Sequence, residues 1–189
     1  SNGNAYRSRW FNLGDDRYYV DENGARQSGW FSITGTSSNG QEYINWYRAD
    51  SNGVLWRNGW REEDGKWYFF DANGLNYRRR WYIDGNGDRY YLDKDGILQN
   101  NGWFKIENTN SDGVVSESWY YASESGAVLK EGFKELKGRK YYFDVNGLNY
   151  RKRWLTKENG KKRYIGEEGY LYQNQWFVIR GIDSRNSDY

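Results

Sequence analysis

One series of intervals occurs twice in this chain. An aromatic residue preceded by Gly, Arg or Gln stands at Trp10, Trp30, Trp60, Trp81, Trp103, Phe133, Trp154 and Trp176, at spacings of 20, 30, 21, 22, 30, 21 and 22 residues. The run 30, 21, 22 repeats, so a 73-residue period is laid over a shorter one. Gly59–Arg79 and Gly132–Lys152 agree at 12 of 21 positions, including Asn73-Gly74-Leu75-Asn76-Tyr77-Arg78 against Asn146-Gly147-Leu148-Asn149-Tyr150-Arg151. A chain with such self-similarity is built of stacked supersecondary units that share one core. The expected units start near 9, 29, 59, 80, 102, 132, 153 and 175, giving an N-terminal tail over 1–8 and a single repeat domain over 9–189.

Each unit has the chemistry of a hairpin. Asn-Gly or Asp-Gly pairs, which adopt positive φ readily, occur at Asn39-Gly40, Asp64-Gly65, Asn86-Gly87, Asp112-Gly113 and Asn159-Gly160. Aromatic strand sequences follow, such as Trp67-Tyr68-Phe69-Phe70 and Tyr141-Tyr142-Phe143, and then turns of the form Asp71-Ala72-Asn73-Gly74 with Asp first and Gly fourth. A lone hairpin cannot bury an aromatic face, so neighbours must stack. The reading is an all-β hairpin solenoid of about eight aromatic-rich repeats with three hairpins per superhelical turn and no helix.

Composition explains what fills such a core. Aromatics are 20% of 189 residues, while Leu, Ile and Val together number 25, so the core is ring-lined rather than aliphatic. His and Cys are absent, which removes His- or Cys-based nucleophile activation, disulfides, zinc fingers and Cys-ligated clusters. No residue set calls for a cofactor. Pro is absent, as suits strands whose amides are all needed. The missing Met leads us to expect a processed or excised piece of a larger extracellular protein, without membrane insertion.

The frame Gly-Trp, Asn/Asp-Gly, Trp-Tyr-Phe-Phe-Asp, x-Asn-Gly and Gly-Trp again resembles the choline-binding, or cell-wall-binding, repeats of Gram-positive surface proteins. That superfamily includes the glucan-binding repeats of glucansucrases and the repetitive oligopeptides of clostridial toxins. The resemblance implies a secreted, non-catalytic module that holds a protein to a wall polymer, with choline, teichoic acid or glucan as partner. Glucan binding within an extracellular carbohydrate-active enzyme, or toxin-like receptor binding, is the alternative. It also implies a cation cage from two Trp of one repeat and an aromatic of the next. Carried onto this sequence, the cages are Trp60, Trp67 and Tyr91; Trp30, Trp46 and Phe69; and Trp103, Trp119 and Tyr142. Elsewhere the second Trp is replaced by Arg17, Arg89, Lys140 and Arg163, expected to close their own cages.

The basic triplets Arg78-Arg79-Arg80 and Arg151-Lys152-Arg153 lie one 73-residue period apart and offer a stripe for an anionic polymer. Interleaved acids, 26 against 28 bases, argue against a nucleic-acid partner. Asp84 to Asp95 begins like a calcium loop, but Arg89 stands where the loop needs Gly. The acidic pairs Asp15-Asp16 and Glu62-Glu63 fall beside turns of the repeat and do not suggest a glycosidase.

Overall fold

The computed structural model describes residues 6–156, 159–173, 176 and 178; the expected eighth unit lies almost wholly outside them. None of the described residues is helical. Seven two-stranded antiparallel hairpins follow one another. They are hairpin 1 (β1 Arg9–Leu13, β2 Asp16–Val20), hairpin 2 (β3 Gly29–Thr36, β4 Glu42–Ala49), hairpin 3 (β5 Gly59–Glu63, β6 Lys66–Phe70) and hairpin 4 (β7 Arg80–Ile83, β8 Arg89–Leu92). Then come hairpin 5 (β9 Gly102–Thr109, β10 Val115–Ala122), hairpin 6 (β11 Gly132–Leu136, β12 Arg139–Phe143) and hairpin 7 (β13 Arg153–Thr156, β14 Lys162–Ile165). The chain forms two compact units, Ser1–Gly102 with Ala122–Val128, and Trp103–Tyr121 with Leu129–Tyr189.

Local chemistry sets the turns. Asp64-Gly65 and Lys137-Gly138 both hold positive φ at their two central residues, the twist a tight hairpin requires. After five of the seven second strands an Asp caps the next turn: Asp71 Oδ1, for example, accepts from the amides of Asn73 and Leu75, and Asp144 Oδ1 from those of Asn146 and Leu148. Asp84 does the same for Asn86 and Asp88, so the calcium-like stretch serves as a hairpin turn. The longer units extend their strands to 8 residues, and this absorbs the extra chain between Trp30 and Trp46.

Within each unit, hairpins are tied by one recurring main-chain bond. The connector after a hairpin donates an amide to the second strand of the hairpin before it: Leu55 to Arg17, Asn76 to Trp46 and Leu98 to Trp67 in the first unit, and Asn149 to Trp119 and Leu171 to Lys140 in the second. The residue closing each second strand is the innermost one, with Phe70, Leu92, Phe143 and Ile165 all fully buried. Each ring packed this way buries ~150–250 Å², which a single hairpin could not do. Stacked hairpins with a ring-lined core make each unit a stretch of hairpin solenoid.

Candidate functional site

The ladder register assigns every aromatic a place. In hairpin 3, Trp60 faces Phe69 and Glu62 faces Trp67; in hairpin 2, Trp30 faces Arg48 and Ser32 faces Trp46. The first aromatic of a hairpin also meets the next hairpin, at the residue one before its own cross-strand position. Trp10 packs on Tyr47 at 4.9 Å, Trp30 on Tyr68 at 5.0 Å, Trp60 on Tyr90 at 5.5 Å and Trp103 on Tyr141 at 4.9 Å.

In all three expected cages the ring that meets the first Trp from the next hairpin stands one residue before the expected third member. Phe69, Tyr91 and Tyr142 pack on the first aromatic of their own hairpins, Trp60 at 5.2 Å, Trp81 at 5.0 Å and Phe133 at 5.1 Å, and Phe69 also stacks on Tyr82 at 4.0 Å. Neighbouring residues of a strand point to opposite faces, so a shift of one exchanges an outward ring for an inward one. The rings that meet Trp60, Trp30 and Trp103 from the next hairpin are Tyr90, Tyr68 and Tyr141.

A fourth position lies on the connector, at Arg78 and Arg151, which the sequence offered for an anionic polymer and not beside the Trp pairs. Arg78 lies over Trp46 at 4.2 Å and Trp30 at 5.6 Å, and Arg151 over Trp119 at 4.1 Å and Trp103 at 5.8 Å. Each guanidinium is fixed by an Asn two residues earlier: Arg78 Nε donates to Asn76 Oδ1 at 2.9 Å, and Arg151 Nε to Asn149 Oδ1 at 3.2 Å. Burial pulls both guanidinium pKa values below the ordinary one, against nearby carboxylates such as Asp95 for Arg78 and Glu117 for Arg151. The sequence signal was the repeated Asn-Tyr-Arg at 76–78 and 149–151.

Of the remaining members of the basic triplets, Arg80, Arg153 and Lys152 have local partners of their own. Arg80 lies over Tyr77 at 4.3 Å and Arg153 over Tyr150 at 4.5 Å, and Lys152 pairs with Glu167 at 2.7 Å. Arg79 begins a hairpin in the left-handed region at φ 48°. Arg17 lies over Trp10 at 4.6 Å and Arg89 over Trp81 at 4.3 Å, each against its own ring. Arg163 reaches instead over Phe133 of the preceding hairpin, at 5.4 Å. The register places Lys162, not Arg163, at the second position of hairpin 7, because Trp154 faces Tyr164.

The register thus marks four equivalent positions for each candidate cage: a first aromatic, a second position on the same hairpin, and a third position and a connector residue from the next. The sets within the two units are Trp10, Arg17, Tyr47, Arg57; Trp30, Trp46, Tyr68, Arg78; Trp60, Trp67, Tyr90, Asn100; Trp103, Trp119, Tyr141, Arg151; and Phe133, Lys140, Arg163, Gln173. Of these five, the Trp60 set alone has no Arg or Lys. There the structure has a cavity of about 350 Å³ lined by Trp60, Trp67, Tyr90, Leu98, Asn100, Glu124 and Ser125, and Trp67 is 44% exposed. Leu98 stands where the filled cages have Asn76 and Asn149, so the floor is apolar and the rim carries one carboxylate.

Ring-lined surroundings repeated on stacked hairpins make these positions the candidate binding site. The sequence pattern of the cell wall binding repeat matches residues 8–25, 58–75, 80–98 and 131–148, which cover hairpins 1, 3, 4 and 6. Those four stretches of the chain carry that family's repeat pattern. It is 31% identical over 102 residues to glucosyltransferase-I of Streptococcus downei, across 53% of this chain and 6% of the relative. Against glucosyltransferase-S of Streptococcus mutans identity is 30% over 94 residues, across 50% and 6%. The chain thus spans well under a tenth of these relatives. Among solved structures it is similar to a modular autolysin of Streptococcus pneumoniae (19% identity, TM-score 0.41, 94% of this chain and 40% of that one). It is also similar to an alternansucrase of Leuconostoc mesenteroides (20% identity, TM-score 0.44, 71% and 11%).

Proposed function

We propose that this chain is a non-catalytic module of a secreted protein that attaches to a Gram-positive wall polymer through a quaternary ammonium held by Trp60, Trp67 and Tyr90. The observation that carries this is the Trp60 cavity: aromatic walls, an apolar floor at Leu98, Glu124 on the rim and no base among its lining residues. A trimethylammonium head has no N–H to satisfy, so it loses nothing against Leu98, while the ring faces attract its charge. At ~0.5–2 kcal/mol per ring, three rings support a dissociation constant of about 1 mM.

Titration of Trp fluorescence with choline tests it. Saturable quenching at millimolar concentration is expected, and Trp67→Ala should abolish it; a flat titration would overturn the reading. The resemblance to streptococcal glucosyltransferases favours a second reading, in which Trp67 and the exposed Trp154 are platforms for the C–H faces of an α-glucan. A response to dextran but not to choline selects that reading.

A further inference from the structure

The cage that lacks a cation and the two that contain Arg78 and Arg151 differ at two linked positions. Two residues before Arg78 and Arg151 stands Asn, whereas two before Asn100 stands Leu98, as Leu55 stands two before Arg57. Asn76 and Asn149 are each only 4% exposed. Their amide groups are spent on the main chain: Asn76 Nδ2 donates to the Phe69 carbonyl at 3.3 Å, and Asn149 Nδ2 to the Tyr142 and Gly169 carbonyls at 3.2 and 3.0 Å. That fixes the amide orientation and leaves Oδ1 as an acceptor whose donor is the guanidinium Nε. The other Nδ2 or Oδ1 choice would set two acceptors or two donors face to face.

We infer that Trp30, Trp46, Tyr68 with Asn76, and Trp103, Trp119, Tyr141 with Asn149, are guanidinium-selective binding sites whose ligands are the chain's own Arg78 and Arg151. The Trp pair supplies affinity for any monocation. The buried Asn acceptor supplies selectivity, because a cation without N–H groups would leave it unpaired. The Trp60 cage, with Leu98 in that place, has the opposite preference. The inference shares with the proposed function the premise that a Trp pair holds a cation, and concerns different rings.

Arg78→Ala in a Trp67→Ala background tests it in the full chain, because the Trp60 cage is then silent. Trp fluorescence and thermal unfolding are followed with methylguanidinium and with tetramethylammonium at millimolar concentration. The Arg78→Ala chain should acquire saturable methylguanidinium binding and a raised midpoint that Trp67→Ala alone lacks. It should prefer methylguanidinium by about tenfold, the expected cost of one buried acceptor left unpaired. Adding Asn76→Leu should reverse the preference. Arg151→Ala, with Asn149→Leu, repeats the test in the other unit should the Arg78 variant fail to fold. Absence of gained binding, or equal affinity for both cations, overturns the inference. A wild-type chain that ignores choline while the Arg78→Ala variant takes methylguanidinium would sink the proposed function and leave this inference standing.

Discussion

The Trp60 cage and its counterpart 73 residues later share a backbone and differ in what the backbone carries. Trp60, Trp67, Tyr90 and Asn100 in the first unit become Phe133, Lys140, Arg163 and Gln173 in the second. Hairpins 3 and 6 keep the same register, Trp60 facing Phe69 as Phe133 faces Tyr142. Yet one set walls a cavity of about 350 Å³, while in the other a guanidinium lies over the Phe133 ring at 5.4 Å. The frame is thus indifferent to the site. Turns, ladder and buried strand ends maintain the stack, and a few outward side chains decide whether a cage accepts a ligand or provides its own.

If the frame is common, damage to it should cost both units alike. Phe70→Ala and Phe143→Ala, which empty equivalent fully buried positions, are each expected to lose about 3–5 kcal/mol in urea unfolding. Clearly unequal losses would show that the two frames differ. Converting one region into the other is the sharper test. Lys140→Trp with Arg163→Tyr removes both cations from the Phe133 set, and choline stoichiometry should rise from one site to two. A stoichiometry still at one would mean that the four positions do not suffice.

A smaller difference concerns Glu63, where the second unit has Leu136. Glu63 pairs with Arg48 and accepts a hydrogen bond from Trp30 Nε1 at 2.8 Å, and the Arg48 bond is the main cause holding its pKa below the ordinary 4.5. A carboxylate depressed in this way stabilises the fold fully above its unfolded pKa, and the stabilisation is lost as pH falls through the folded value. The first unit should therefore soften on acidification below about pH 4.5 through this group. Glu63→Gln should remove that part of the pH dependence and cost about 1 kcal/mol at neutral pH. A Glu63→Gln chain with the parent's acid profile would count against it.

The smallest effect lies at the start of the same two hairpins. Glu131 and its counterpart Asn58 both hold positive φ, 59° and 57°. Asn tolerates that region and Glu does not, so Glu131→Gly should stabilise by up to about 1 kcal/mol and Asn58→Gly by less. Equal shifts in the unfolding midpoint would contradict this.

The repeat period, the turn chemistry and the aromatic core could be read from the sequence because they rest on local rules. Asp first and Gly fourth in a turn, or a two-residue positive-φ pair, has the same meaning in every unit. The Trp pairs were equally legible, since Trp60 and Trp67 lie on one short hairpin. The ring that meets each first Trp from the next hairpin stands one residue before the one expected. Spacing along a strand gives the alternation of faces, but only the packing of the next hairpin says which face of Tyr90-Tyr91 or Tyr68-Phe69 meets the preceding Trp.

The triplets at 78–80 and 151–153 divide along the same line. Sequence alone established that they recur one period apart and carry charge. Only the tertiary structure decided that Arg78 and Arg151 turn inward over two indoles each, whereas Lys152 turns out to an ion pair. Local propensity determines turns and strands over a few residues, whereas a cage is assembled from two hairpins and a connector more than thirty positions apart, as Trp46 and Arg78 show. The direction of a side chain there is settled by which neighbour can desolvate it and still satisfy its hydrogen bonds.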